Sequence, residues 1–348
     1  MARFEIDVDY LVRTLVDLLN TPSPSGDTEW ASGFVQQEFE ALGAVTRRTR
    51  KGAVLVTLEG LKNDKPRAIT AHIDTLGMVV SRIKPNGRLQ MSAIGGIMWP
   101  NVDGEGVTIA TRSEGRVRGS IVLENGAAHV NREAHRAVRT ADNLEVRLDE
   151  RTGSAEETRL LGIEVGDFVY LDPRTEVSDS GFIRSRFLDD KASVACVLSS
   201  VKALQNGSIT PAQETTILIS NFEEVGHGGV DGLPPDIHDL LVVDMACIGE
   251  GLQGTEFNCS LCYKDSGGPY SRELTERLRA SAERRGITLK PDVYPFYSSD
   301  GTAYWRGGGS AQVALIGPGV DYSHAYERTH KDALTDTAQL IAEFLVED

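Results

Sequence analysis

The chain is poor in the residues that mark several common functional classes. It has four cysteines in 348 residues, Cys196, Cys247, Cys259 and Cys262. That is too few for a disulfide scaffold. Cys259 and Cys262 form a C-x-x-C, but no second C-x-x-C and no H-x-x-x-H is present to complete a structural zinc site, so all four read as reduced thiols. Aromatic residues make up only 6%. No apolar run approaches the roughly 18 residues that a membrane helix needs. The opening MARFEIDVDYLVRTL carries acids where a secretion signal has a basic start and an apolar block. A soluble, cytoplasmic protein is therefore expected. Basic residues are also in deficit: Lys and Arg total 36 against 51 Asp and Glu, a formal charge of −15. Such a chain repels phosphate backbones and anionic lipid, which argues against nucleic acid and membrane surfaces as partners. There is no G-x-S-x-G nucleophile elbow and no phosphate-cradling G-x-x-x-x-G-K-[ST].

What is present is a globular composition, 40% apolar and 25% charged, long enough for two domains at roughly 100–200 residues each. Residues 7–20 place Val8, Leu11, Leu15, Leu18 and Leu19 at helical spacing. TPSPSGDT then interrupts, and Asp27 is the expected N-cap of a helix running to Leu42. Strands are expected at 44–49 and 53–58, LKNDKPR as a turn, and RAITAHI as a strand. From about 78 to 182, short β-like runs (MVVSRI, GVTIAT, RVRGSIVL, LEVRL, DFVYL) alternate with Gly, Asn and Asp turns, the texture of a small barrel or sandwich. From 189 onward helices and strands alternate again: DDKASVACVLSSVKAL, TTILISNF, LLVVDMA, 271–285, VALIG and DALTDTAQLIAEFLVE. The expected fold is α/β, a three-layer αβα domain with a mixed sheet built from 1–82 and 183–348, interrupted by an inserted all-β, barrel-like domain at 83–182.

Candidate chemistry gathers at the expected strand ends. His72 follows RAITA and lies two residues before Asp74, so both can face one side of an extended segment, with Asp74 orienting the imidazole. Asp189 and Asp190 open a helix. Glu223 and Glu224 follow TTILISNF, and Asp244 ends LLVVD. His324 lies in DYSHAYE. A carboxylate at the end of an apolar strand is costly unless neutralised, and open α/β sheets bind ligands outside the carboxyl ends of their strands. Two imidazoles with several carboxylates suit zinc, cobalt or manganese, and the number of donors suits a pair of ions sharing a carboxylate. Glu223 and Glu224 offer both a ligand and a proton acceptor. If the strand continues through them, they point to opposite sides. A solvated cluster of acids and a single-ion enzyme remain alternatives at this point.

In order along the chain, AHIDTLGMVV, FLDDKA, NFEEVGHGG, VVDMA and DYSHAYE resemble the motifs of the M42 family of dinuclear metallo-aminopeptidases. IGG at 94–96, His129 and GIEVGD at 162–167 fit the same resemblance. It implies His72, Asp189, Glu224, Asp244 and His324 as ligands of two divalent ions (zinc first, cobalt or manganese otherwise), with Asp189 bridging. It implies an unusual peptide bond between Asp189 and Asp190. Glu223 would be the general base, and Asp74 would orient His72. The substrates would be short peptides trimmed from the N-terminus. The inserted domain would drive assembly of a homo-oligomer built from dimers, up to a dodecamer. Three departures stand out: Thr75 where the family usually has Glu, Asp321 where it usually has Arg, and SSDGTAY at 298–304 in place of G-T-D-A. They resemble a divergent branch that accompanies an acetylated, amidated glutaminyl dipeptide osmoprotectant. The alternative activity is thus hydrolysis of an N-acyl or amidated dipeptide, and a non-catalytic assembly protein is a third reading.

Overall fold

The computed structural model describes residues 2–348. It resolves into two compact units. One runs as far as Asp74 and resumes over Thr175–Asp348, and the other is Thr75–Arg174.

The first unit is built on a mixed sheet of ten strands. Its centre is four parallel neighbours in the order Gln213–Ser220, Lys62–His72, Asp239–Val243 and Gln312–Val320. Antiparallel strands flank them: Val54–Leu58 and Val45–Arg48 on one side, Cys259–Asp265 on the other. The central strands are buried on both faces, and residues such as Ile69, Ile217, Leu241 and Val313 are fully enclosed. Strands covered on both sides read as continuous apolar runs rather than alternating ones. Because the four run parallel, their carboxyl ends share one edge. His72, the Asn221–Glu224 segment, Asp244 and the Asp321–His324 segment all emerge there.

Helices cover the sheet. Val8–Leu19 starts at Asp7, whose side chain accepts a hydrogen bond from the Tyr10 amide at 2.9 Å. It buries Leu11, Leu15, Leu18 and Leu19, the stripe expected from their spacing. Glu29–Ala41 begins one residue later than expected. Thr28 stands at the N-cap position, and the Asp27 amide donates to Pro24 in the preceding turn. Leu188–Asn206 and Lys331–Val346 pack on each other and on the sheet. The short helix Asp300–Arg306 packs where a Cβ on Gly301 would meet Val242 and Val313.

LKNDKPR is not a turn. Lys62–His72 is one strand of 11 residues. Its first half is exposed and lies opposite a register shift between Gln213 and Thr215. The partner strand therefore does not need the amide that Pro66 lacks. The two cysteines of the C-x-x-C are buried in the strand Cys259–Asp265, and all four thiols are free. Burial lifts the thiols of Cys247, Cys259 and Cys262 to about 12. Among the described residues no helix is long and apolar enough to cross a membrane.

The second unit is a closed barrel of six antiparallel strands: Gly77–Ile83, Leu89–Ile94, Leu144–Leu148, Arg116–Leu123, Gly106–Ala110 and Phe168–Leu171. Alternate residues fill it, among them Met78, Val80, Val107, Ile109, Ile121, Val169 and Leu171. Its ends lie earlier than the expected 83 and 182. Gly77–Ile83 is the strand that closes the barrel on Phe168–Leu171, so it falls inside the unit. Phe182–Ser185 pairs with Glu327–His330 and so falls in the other.

One polar contact in the barrel is costly to break. The Glu145 side chain has no exposure, and its carboxylate meets Lys84 Nζ at 2.6 Å and the Arg88 guanidinium. Removing one partner of a buried pair leaves the other charge uncompensated. Glu145→Ala is expected to lower unfolding stability by about 3–5 kcal/mol in chemical denaturation. Glu114→Ala, on an exposed turn, should change it by less than about 0.5 kcal/mol.

Candidate metal centre

The edge where the parallel strands end holds a cluster of carboxylates around two imidazoles. His72 is the last residue of its strand and is only 2% exposed. Its Nδ1 lies 2.9 Å from the carbonyl oxygen of Asp74 and 3.5 Å from that residue's carboxylate. The backbone carbonyl, which can only accept, thus places the proton on Nδ1 and leaves Nε2 as a donor of electrons. Asp74 does more than face His72. Its two oxygens accept the amides of Glu223 and Glu224 at 3.1 and 3.2 Å, and Ser25 Oγ donates to it at 2.5 Å. A fully buried carboxylate therefore ties the end of one strand to the turn after its neighbour.

Asp189 and Asp190 open the helix Leu188–Asn206, and the peptide bond between them is cis. Asp189 stands between the imidazoles, with Oδ1 at 3.2 Å from His72 Nε2 and Oδ2 at 3.5 Å from His324 Nε2. Asp190 Oδ2 accepts the His72 amide at 3.3 Å. Glu223 and Glu224 do not continue a strand. The strand ends at Ser220, and Glu223–Val225 is a single 3-10 turn closed by Gly226 at φ +85°. The two side chains part because of that turn, not because of strand alternation. Glu223 Oε2 lies 3.8 Å from His72 Nε2, and Glu224 Oε2 lies 3.8 Å from His324 Nε2. Asp244 follows the strand Asp239–Val243 directly, with Oδ1 at 4.0 Å from His72 Nε2. His324 has a left-handed backbone, φ +62°, a conformation that costs a non-glycine residue of order 1 kcal/mol. Glu327 holds it there: Oε1 accepts the His324 amide at 3.1 Å and Oε2 the Asp189 amide at 3.2 Å.

These donors fall into two groups within binding distance of one ion each: His72, Asp190 and Asp244, and Asp189, Glu224 and His324. The electrostatics show that the cluster lacks positive charge. Burial pushes Asp190, Glu223 and Glu224 well above the usual carboxylate range, with neighbouring carboxylates adding to the effect, and lifts Asp244 and Glu327 to about 8. Burial alone would lower His72, but its contacts with Asp189 and Asp74 raise it well above normal. Asp189, against the pull of its own burial, is drawn down by His324 and His72. Asp190 Oδ1 and Glu224 Oε1 are buried with no hydrogen-bond partner. Unpartnered carboxylate oxygens and imidazole nitrogens converging at an apolar sheet edge are the donor set a divalent cation satisfies. The residues therefore fit such ions.

All seven residues singled out in the sequence, His72, Asp74, Asp189, Glu223, Glu224, Asp244 and His324, come together here. Two that were not singled out as ligands or supports join them. Asp190 was read only as part of an acidic pair, and Glu327 only as the last letter of DYSHAYE. Of the departures, Thr75 is buried and donates to the Leu76 carbonyl at 3.0 Å. Asp321 forms a backbone bridge with Arg328.

Comparison with known proteins is consistent along the chain. Residues 52–340 match the profile of the M42 glutamyl aminopeptidases. The protein YhfE of Bacillus subtilis (strain 168), which carries an aminopeptidase name, is 42% identical over 93% of this chain and 94% of its own length. Two solved structures share the fold. The aminopeptidase APDkam598 of Desulfurococcus kamchatkensis superposes with a TM-score of 0.88 at 20% identity, covering 98% of this chain and 96% of its own. The TET1 peptidase of Pyrococcus horikoshii, which can assemble into a tetrahedron or a large octahedral shell, superposes with a TM-score of 0.83 at 20% identity, covering 97% and 100%.

The position of Asp244 depends on a glycine. A Cβ on Gly317 would collide with the Asp244 carbonyl oxygen. Gly317→Ala is expected to cost about 1–3 kcal/mol in denaturation and to reduce the metal the purified chain retains. Wild-type stability and metal content in that variant would contradict the tight placement of Asp244.

Proposed function

We propose that this chain, which belongs to the M42 glutamyl aminopeptidase family and is a peptide hydrolase, removes N-terminal residues from short peptides at a centre of two divalent cations, with Glu223 as general base. The observation that carries this reading is Asp189, whose two oxygens face the two imidazoles separately, the arrangement of a shared ligand. His72 and Asp244 would complete one site, with Asp190 beside them, and Glu224 and His324 the other. Zinc suits this donor set, with cobalt or manganese as its alternatives. Two such ions supply Lewis acidity, which makes water a nucleophile near neutral pH and polarises a carbonyl.

The remaining roles belong to side chains. Glu223 lies on the His72 side of the cluster and is not needed in either donor group. It accepts the proton of the attacking water and returns it to the amine as the peptide C–N bond breaks, so no net proton is lost. A glutamate serves both halves of that task, ionised when it takes the proton and neutral when it returns it. Asp74 fixes the backbone that carries Glu223 while its carbonyl orients His72. Glu224 is held by the same carboxylate, so base and ligand keep a constant spacing.

The same reading extends to assembly and place. A homo-oligomer fits the shells reported for the Pyrococcus horikoshii peptidase, with the barrel Thr75–Arg174 as the assembling unit. Short peptides are the substrates that could enter such a shell, and the cytoplasm is the compartment.

Glu223→Gln is expected to lower kcat toward aminoacyl p-nitroanilides by about 10²–10⁴-fold while metal content stays at two ions per chain. Retained turnover would remove Glu223 from its role. Metal uptake should also release protons. In the metal-free chain burial lifts the Asp244 carboxyl to about 8, which favours its protonated form at pH 7, so an incoming cation displaces a proton and affinity falls as the pH drops. Calorimetric zinc titrations at pH 7 in buffers of different ionisation enthalpy measure the release. Equal heats in all buffers would contradict it.

A further inference from the structure

Asp300 sits beside the centre yet belongs to neither donor group. It is the first residue of the helix Asp300–Arg306, follows the N-cap Ser299, and is 1% exposed. Oδ2 accepts two hydroxyl hydrogen bonds, from Ser220 at 2.5 Å and from Thr70 at 3.2 Å. Ser220 is the last residue of the strand that leads into Glu223. Thr70 is two residues before His72 and on the same side of its strand. The other oxygen, Oδ1, meets the loop after the Glu223 turn. A Cβ on Gly228 would collide with Oδ1, and it would also stand 2.7 Å from Ser220 Oγ and 2.8 Å from the Glu223 amide nitrogen. A Cβ on Gly229 would collide with the Asp300 carbonyl oxygen. The glycine pair thus lets the loop close directly onto this side chain. The next residue, Gly301, packs against Val242, two residues before Asp244.

One carboxylate therefore touches the strand that ends in His72, the strand that leads to Glu223, and the loop that leaves Glu224. A buried acid near Asp74, Glu223 and Asp244 carries an electrostatic cost that a purely structural role does not require, because an apolar side chain could fill the space. Its acceptor capacity is what the two hydroxyls use. We infer that Asp300 is a positioning residue that fixes the Glu223 turn through Ser220 and the Gly228–Gly229 loop. The inference rests on the reading of Glu223 as general base.

A misplaced base affects turnover more than binding. Asp300→Ala is expected to lower kcat toward aminoacyl p-nitroanilides about 10–100-fold, with KM within about twofold and two ions per chain retained. Asp300→Asn keeps the acceptor for Ser220 and Thr70 and should recover most of that loss. Ser220→Ala, the gentler variant, should lower kcat several-fold. In the double variant its effect should vanish, because the two residues act in one chain. Three results would overturn the inference: unchanged kcat in Asp300→Ala, full additivity with Ser220→Ala, or a kcat loss that follows thermal stability and is not recovered by Asn. Should Asp300→Ala fail to fold, the Ser220→Ala and Asp300→Asn kinetics decide alone: unchanged kcat in Ser220→Ala, or a loss in Asp300→Asn as great as that expected for Ala, overturns it. Glu223→Gln assayed alongside separates the two claims. If that variant is inactive while Asp300→Ala is normal, only the positioning role fails. If Glu223→Gln is active, the reading of the base itself fails.

Discussion

Six carboxylates, Asp74, Asp189, Asp190, Glu223, Glu224 and Asp244, are crowded around two imidazoles at the edge of an apolar sheet, and this imbalance of charge governs the structure around it. In water each would be ionised and solvated. Here burial raises most of them, and two of their oxygens find no hydrogen-bond partner. Such a cluster persists only where backbone amides, hydroxyls and bound cations replace the lost solvent. The chain supplies the first two: amides of Glu223 and Glu224 and the Ser25 hydroxyl to Asp74, the amide of His72 to Asp190, and amides of Asp189 and His324 to Glu327. In the proposed reading, divalent cations at the two donor groups would complete the set.

The fold follows from the need to bring these groups to one place. Four parallel strands end together, so residues more than 250 positions apart in sequence, His72 and His324, flank one carboxylate. Helix packing and antiparallel flanks bury the strands. The loops at their ends are then free to carry polar groups without disturbing the core. The barrel is a separate structural problem, solved by its own alternating core and its own buried ion pair.

Much of this was legible in the chain, for identifiable reasons. Strand cores such as ILI and LLVV are apolar without interruption, so the acids that lie shortly after them stand out. The helix Val8–Leu19 shows its stripe because its periodicity is strong. Other features had no local signal. KNDKPR looks like a turn because its residues favour turns, but hydrogen bonds to Ala212 and the Gln213 side chain, distant in sequence, hold it extended. The Glu223–Val225 turn had no local signal because Asp74, distant in sequence, captures the amides of Glu223 and Glu224. Glu327 and Asp300 look like ordinary acids until the fold shows what their oxygens accept. The barrel limits moved because pairing partners, not composition, decide which unit a strand joins.

The central claim is that this cluster hydrolyses peptides only when two divalent cations balance it. Its most direct test is to strip the metal with a chelator and follow hydrolysis of a peptide with a free N-terminus as zinc is returned. The account predicts negligible activity without metal and recovery that saturates at two ions per chain. Full activity in the stripped chain, or saturation at a single ion, would contradict it.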